Sequence, residues 1–229
     1  MKTLIFDAGP VISLTMNNLL WILTELKKKQ DVEFYITKAV KNEIVDFPLT
    51  TKKYKLEAIQ VMELIDSGII KIIDNDYIKN KTSEMLGIAN GIFKAFDHYI
   101  NILHYAEVSV ISASNSIQSD AIVIDEKTTR LLVEEPAKLR EILKKTLHTN
   151  IYTNVQNLNE FRKFASRVRI IRSVEVAAVA YELGILDKYI TKTSNSREQL
   201  LDAMLWGIKL KGCSVSENEI NKILKIELR

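Results

Sequence analysis

Short apolar runs alternate with stretches of helical period over the first 135 positions. Leu4-Ile5-Phe6, Val32 to Thr37, Ile69 to Ile73 and Ala121 to Ile124 read as strands, continuous enough to be covered on both faces. Asn18 to Lys29 reads as a helix with Leu19, Leu20, Ile22, Leu23 and Leu26 facing inward. Thr37 is the expected N-cap of a short helix through Val45, closed at the Phe47-Pro48 step. Tyr54 to Asp66, Ser83 to about Ile102, His104 to about Ser114 and Lys127 to Val133 are predicted as further helices. Strands that alternate with helices argue for an α/β chain, with a central parallel sheet of four to five strands wrapped by helices.

Beyond Pro136 the regularity fades. Val168 to Ile171 is the expected fifth strand, with Ile151 to Val155 as its competitor. Three helices follow, over Ser173 to Leu186, Arg197 to Lys211 and Glu217 to the C-terminus, with Gly212 ending the second and Ser216 capping the third. Leu200, Leu201, Met204, Leu205, Ile208 and Leu210 cover too wide an arc for a lone surface helix. The organisation expected is therefore a domain over residues 1–172 and a helical extension over 173–229, packed on that domain or on a dimer partner.

Composition excludes more than it assigns. At 229 residues, 47% hydrophobic and 27% charged, the chain can bury a full core. Cys213 is the only cysteine, which leaves no disulfide framework and no thiolate metal site. No run approaches the roughly 18 apolar residues of a membrane span, and the N-terminus carries no signal-peptide pattern, so a cytoplasmic protein without membrane association is expected. Charge is uneven. Residues 1–135 hold 15 Lys/Arg against 19 Asp/Glu, and residues 136–229 hold 17 against 10. An acidic half able to hold metal thus adjoins a basic half able to hold phosphates.

The first strand stops on Asp7, and Ala8-Gly9-Pro10 then breaks the extended backbone. The strand from Ala121 ends the same way, on Asp125. In open α/β sheets ligands gather outside the carboxyl ends of the strands, so both acids are placed for chemistry. Glu43, in the helix after the second strand, and Glu107, in the first turn of the helix after His104, are candidates to converge with them. Asp120 starts the strand that Asp125 ends, about 17 Å away at about 3.3 Å per residue, and is excluded. Glu126 is set aside because successive strand side chains point to opposite faces.

Asp7 in LIFDAGPVISL, Glu43 in VKNEIVDFP, Glu107 in HYAEVSVISAS and Asp125 in AIVIDEKTTRLL together resemble the four acidic motifs of PIN-domain nucleases, over about residues 1–172. The C-terminal stretch LDAMLWGIKLKGCSVSENEI is similar to the extension of some stand-alone, VapC-like members. Two positions depart from the pattern: Ala106 stands where many members have a glycine before the third acid, and Thr128 where another polar or acidic residue often follows the fourth. The resemblance implies a metal-dependent endoribonuclease, with Asp7, Glu43, Glu107 and Asp125 holding Mg²⁺ or Mn²⁺ through oxygen ligands. It further implies RNA as the substrate, a homodimer, and either a toxin with an antitoxin partner or an RNA-processing enzyme. Lys38, Lys41, Lys127 and Arg130 are the expected phosphate contacts, with the basic stretch Arg162, Lys163, Arg167, Arg169 and Arg172 as a further candidate. The alternatives are a catalytically silent RNA-binding or regulatory protein on the same fold and, last, a flap-type DNA nuclease.

Overall fold

Lys2–Phe6 forms β1, which in the computed structural model, describing residues 1–227, is the middle strand of the main sheet. Its Ile5 and Phe6 are fully buried, as a strand covered on both faces requires. The other strands are β2 (Val32–Thr37), β3 (Ile70–Ile73), β4 (Phe93–Ala95), β5 (His98–Tyr99), β6 (Ala121–Val123), β7 (Tyr152–Thr153) and β8 (Ile170–Ile171). Five of them make a wholly parallel sheet in the order β3-β2-β1-β6-β8, with Leu4 opposite Phe34 on one side and Ala121 on the other. β5, β4 and β7 form a small antiparallel sheet. Both segments that competed for the fifth position are strands, in different sheets.

The helices are α1 (Ala8–Met16), α2 (Ile22–Lys29), α3 (Lys38–Lys41), α4 (Phe47–Leu49), α5 (Lys55–Asp66), α6 (Asp76–Asn90) and α7 (Tyr105–Ile117). After β6 come α8 (Lys127–Glu134), α9 (Pro136–Leu147), α10 (Val155–Ala165), α11 (Ser173–Glu182), α12 (Ser196–Leu210) and α13 (Glu217–Glu227). Their first two differ from expectation. α1 starts directly after Asp7, because Pro10 falls in the first turn, where no amide hydrogen is needed. A turn with Asn18 in the left-handed region (φ 54) then delays the helix expected from Asn18 until Ile22.

Thr37 caps α3 as expected, its hydroxyl accepting from the Val40 amide at 3.2 Å. The helix does not stop at Phe47-Pro48. It widens into a π turn over Asn42–Asp46, and Pro48 then sits in the first turn of α4. The helix expected over Ser83 to Ile102 is displaced. Asn75, whose side chain accepts from the Ile78 amide, starts α6 earlier, and the chain leaves it at Gly91. A methyl on Gly91 would lie 2.5 Å from Asn157 Nδ2, so this glycine serves a close approach to α10. Phe96 and Asp97, both at positive φ, then turn β4 into β5, a hairpin built without the usual glycine.

The extension shares the first core. Leu201, Met204, Leu205, Ile208 and Ile220 belong to one apolar cluster with Ile5, Phe6 and Leu14. α11 packs on α1 and α2, and Lys29 Nζ donates to the Leu183 carbonyl at 2.8 Å. Arg172, only 12% exposed, bonds both Glu175 and Glu219 and so ties α13 to the end of β8. Burial pushes the Glu219 carboxyl up, but the hydroxyl and amide of Ser216 and the Arg172 guanidinium outweigh it and hold it at about 2. Leu210 stands apart from the rest of its apolar arc and faces solvent. Residues 228 and 229, at the end of the last predicted helix, lie outside the described residues.

Because the core is shared, Leu205→Ala should cost about 2–5 kcal/mol and lower one cooperative transition for the whole chain. Chemical denaturation followed by circular dichroism and by tryptophan fluorescence checks this. Two separate transitions, with only one shifted, would show the extension to be an independent unit. Among the described residues no helix is long and apolar enough to cross a membrane.

Candidate functional site

The reversal of strand order falls between β1 and β6, and the crevice outside such a switch point is where α/β sheets bind ligands. Asp7 stands there. Its amide donates to the Val123 carbonyl at 3.0 Å, continuing the ladder one step past β1. Its side chain is 5% exposed, and Oδ1 is buried with no hydrogen-bond partner. Burial pushes the carboxyl up to about 7 against the backbone amides of Ala8 and Gly9, and the charges of Glu107 and Glu43 push the same way. A buried carboxylate with a bare oxygen is costly unless something positive reaches it.

Glu43 comes to this point on the π turn after α3. Desolvation raises its carboxyl, and nearby His104 opposes the rise. Glu107 arrives in the first turn of α7, where its Oε2 accepts from the His104 amide at 2.6 Å. Burial raises it to about 7 despite that bond, with Glu126 and Glu43 adding repulsion. Asp7 and Glu107 thus both feel the charge of Glu43, and Asp7 that of Glu107 as well.

Asp125 lies on the other side of Gly9 from Asp7, with its carboxylate hydrogen-bonded. A methyl built on Gly9 would touch Asp125 Cβ at 3.7 Å and an Asp7 carboxylate oxygen at 3.9 Å, so the two acids flank the glycine. Both Asp125 oxygens are taken by Ser173, from its amide at 2.8 Å and its hydroxyl at 2.6 Å. Cys213 packs beside that pair; burial first, then the Asp125 charge, pushes its thiol up to about 12. The Ser214 amide donates to the Asp125 carbonyl at 3.0 Å, which clamps the extension onto this corner.

Glu126 needs a correction. β6 ends at Val123, so strand alternation does not govern Glu126. It caps α8, accepting from the Thr129 amide at 2.6 Å, and its charge is felt by Glu107. Asp120, by contrast, accepts from the Thr3 amide at 2.7 Å at the amino edge of the sheet. Asp120→Asn keeps an acceptor there and should leave any phosphodiester cleavage unchanged; loss of cleavage in a folded variant would move the site to the opposite edge.

Of the expected phosphate contacts, only Lys127 is exposed and without an ion pair among the described residues. Lys38 lies 3.7 Å from Asp74, Lys41 pairs with Asp46, and Arg130 donates to Ser214 at 3.1 and 3.2 Å. Arg162, Lys163, Arg167 and Arg169 are exposed, but Arg169 directly precedes β8 and bonds Ile122 from the amino edge, on the side away from Asp7. Arg172 is internal to the fold.

Among the described residues no three His, Cys, Asp or Glu side chains stand as a ready-made metal cage. The donor chemistry nonetheless suits a hard divalent cation: carboxylate oxygens only, one of them buried and unbonded at Asp7. A family model described as a PIN domain matches residues 3–138, which hold all four acids. No curated protein and no solved structure matches the chain.

Proposed function

The chain belongs to the PIN-domain family, whose members are generally nucleases that use divalent metals, and from this we propose that it is a Mg²⁺- or Mn²⁺-dependent endoribonuclease. The observation that carries the reading is the buried, unbonded Asp7 oxygen at the strand-order switch, with Glu43 and Glu107 beside it. Asp7 is the central ligand, and Glu43 and Glu107 complete the set from the two helices. Held by these carboxylates, a divalent cation would supply Lewis acidity toward the phosphate and would make water nucleophilic at neutral pH. Burial and mutual repulsion raise both Asp7 and Glu107, a cost that a bound cation would relieve. Asp125, whose two oxygens accept from Ser173, ties the start of α11 to the end of β6 beside the acids.

The grip of Ser173 on Asp125 favours a second reading, a PIN-fold RNA-binding module that does not turn over. Calorimetric titration with Mn²⁺ separates the two. Saturable binding that is lost in Asp7→Asn supports the enzyme, and absence of binding in the wild type supports the silent module. Action as the toxin of a toxin–antitoxin pair is the physiological role proposed with the enzyme.

A further inference from the structure

Beside the acids lies a groove that the metal site does not use. It has a volume of about 140 Å³ and is lined by Val11, Ile12, Glu43, Ile44, Tyr54 and Val61 among others. That is close to the cavity of about 150 Å³ that holds one benzene ring. Glu43 belongs both to this wall and to the acid set, so the groove and the site share a side chain.

The loop over the groove is unusual in three respects. Tyr54 caps α5 in the left-handed region (φ 62), a conformation that strains a bulky aromatic residue, and its ring remains 45% exposed. Lys53 Nζ sits 4.6 Å from the centre of that ring. Lys52, Lys53 and Lys55 are all exposed, and none forms an ion pair among the described residues. The loop is held in shape by Thr51, whose hydroxyl donates to the Lys53 carbonyl at 2.8 Å. An exposed aromatic ring among unpaired lysines is the chemistry that grips single-stranded nucleic acid, the ring stacking a base and the cations following the phosphates.

We propose that the groove under Tyr54 is a nucleotide subsite, in which one base of a single-stranded RNA stacks against Tyr54 while Lys52, Lys53 and Lys55 hold the phosphates leading to the acids. The proposal rests on the nuclease reading above. It adds to Lys127 three exposed lysines that form no ion pair among the described residues.

The test is fluorescence anisotropy of a labelled single-stranded RNA in EDTA, where no cleavage interferes. Tyr54→Gly removes the ring and suits the left-handed backbone, so it keeps the fold. It should weaken binding by at least about 5-fold, and Tyr54→Phe should restore it. Replacing Lys52, Lys53 and Lys55 together with alanine should reduce the log–log salt dependence by about 2. Wild-type RNA affinity in Tyr54→Gly overturns the subsite. So does a Tyr54→Gly variant that alters association between copies of the chain, by ultracentrifugation, while RNA affinity stays constant. Hydrolysis of bis(p-nitrophenyl) phosphate by the wild type in Mn²⁺ reports the acids without a base. Hydrolysis with no RNA binding refutes the subsite and leaves the nuclease reading. Tyr54-dependent RNA binding without hydrolysis of either substrate refutes the nuclease reading and leaves the subsite.

Discussion

In the absence of metal, Asp7→Asn should melt several degrees above the wild type at pH 8, with the gap closing as the pH falls toward 4. The folded pKa of Asp7, about 7, lies above its ordinary 3.8, so the folded chain binds this proton more tightly than the unfolded chain does. The stability from that proton is complete below the unfolded value and is lost as the pH climbs to about 7. A rise of this size corresponds to roughly 2–4 kcal/mol, and each kcal/mol moves the melting temperature of a chain this size by about 2–4 °C. Asparagine carries no charge to bury and removes one source of repulsion on Glu107 and Glu43. Differential scanning calorimetry at pH 4, 6 and 8 in EDTA checks it. An unchanged or lower melting temperature at pH 8 would mean that the Asp7 carboxylate is already compensated.

Truncation after Ile171 should give aggregated or insoluble protein. It removes Ser173, which donates to both Asp125 oxygens, and uncovers the faces of α1 and α2 that α11 occupies. It also removes Leu201, Leu205 and Ile208, which are fully buried. Size-exclusion chromatography of the truncated chain decides the matter. A monodisperse, soluble and active product would show that residues 172–229 are dispensable to the PIN core.

Much of this architecture was legible in the chain because it depends on local pattern. β1, the Thr37 cap after β2 and the start of α7 follow from apolar runs and caps; β1 ends at Asp7, α7 carries Glu107, and the turn after α3 carries Glu43. The partner of the Asp125 side chain was not legible, because Ser173 lies 48 residues further on, directly after β8, which pairs with β6. Strand alternation does not extend to Glu126, because Ala121 to Ile124 has the pattern of one strand whereas the ladder ends at Val123. The ion pairs of Lys38 with Asp74 and of Lys41 with Asp46 were not legible either, since such pairing leaves no periodic trace. The hairpin at Phe96 and Asp97 lacks the glycine that marks such turns, so the helical pattern before it seemed to continue.

The most direct measurement of the central claim is single-turnover cleavage of a labelled single-stranded RNA in Mn²⁺, with wild type, Asp7→Asn and Asp120→Asn compared at equal concentration. The expected result is internal cleavage by the wild type and Asp120→Asn, with Asp7→Asn slower by at least about 100-fold, since even outer-shell ligand losses reach that size. Wild-type cleavage by a folded Asp7→Asn would contradict the claim that Asp7 is the centre of the site.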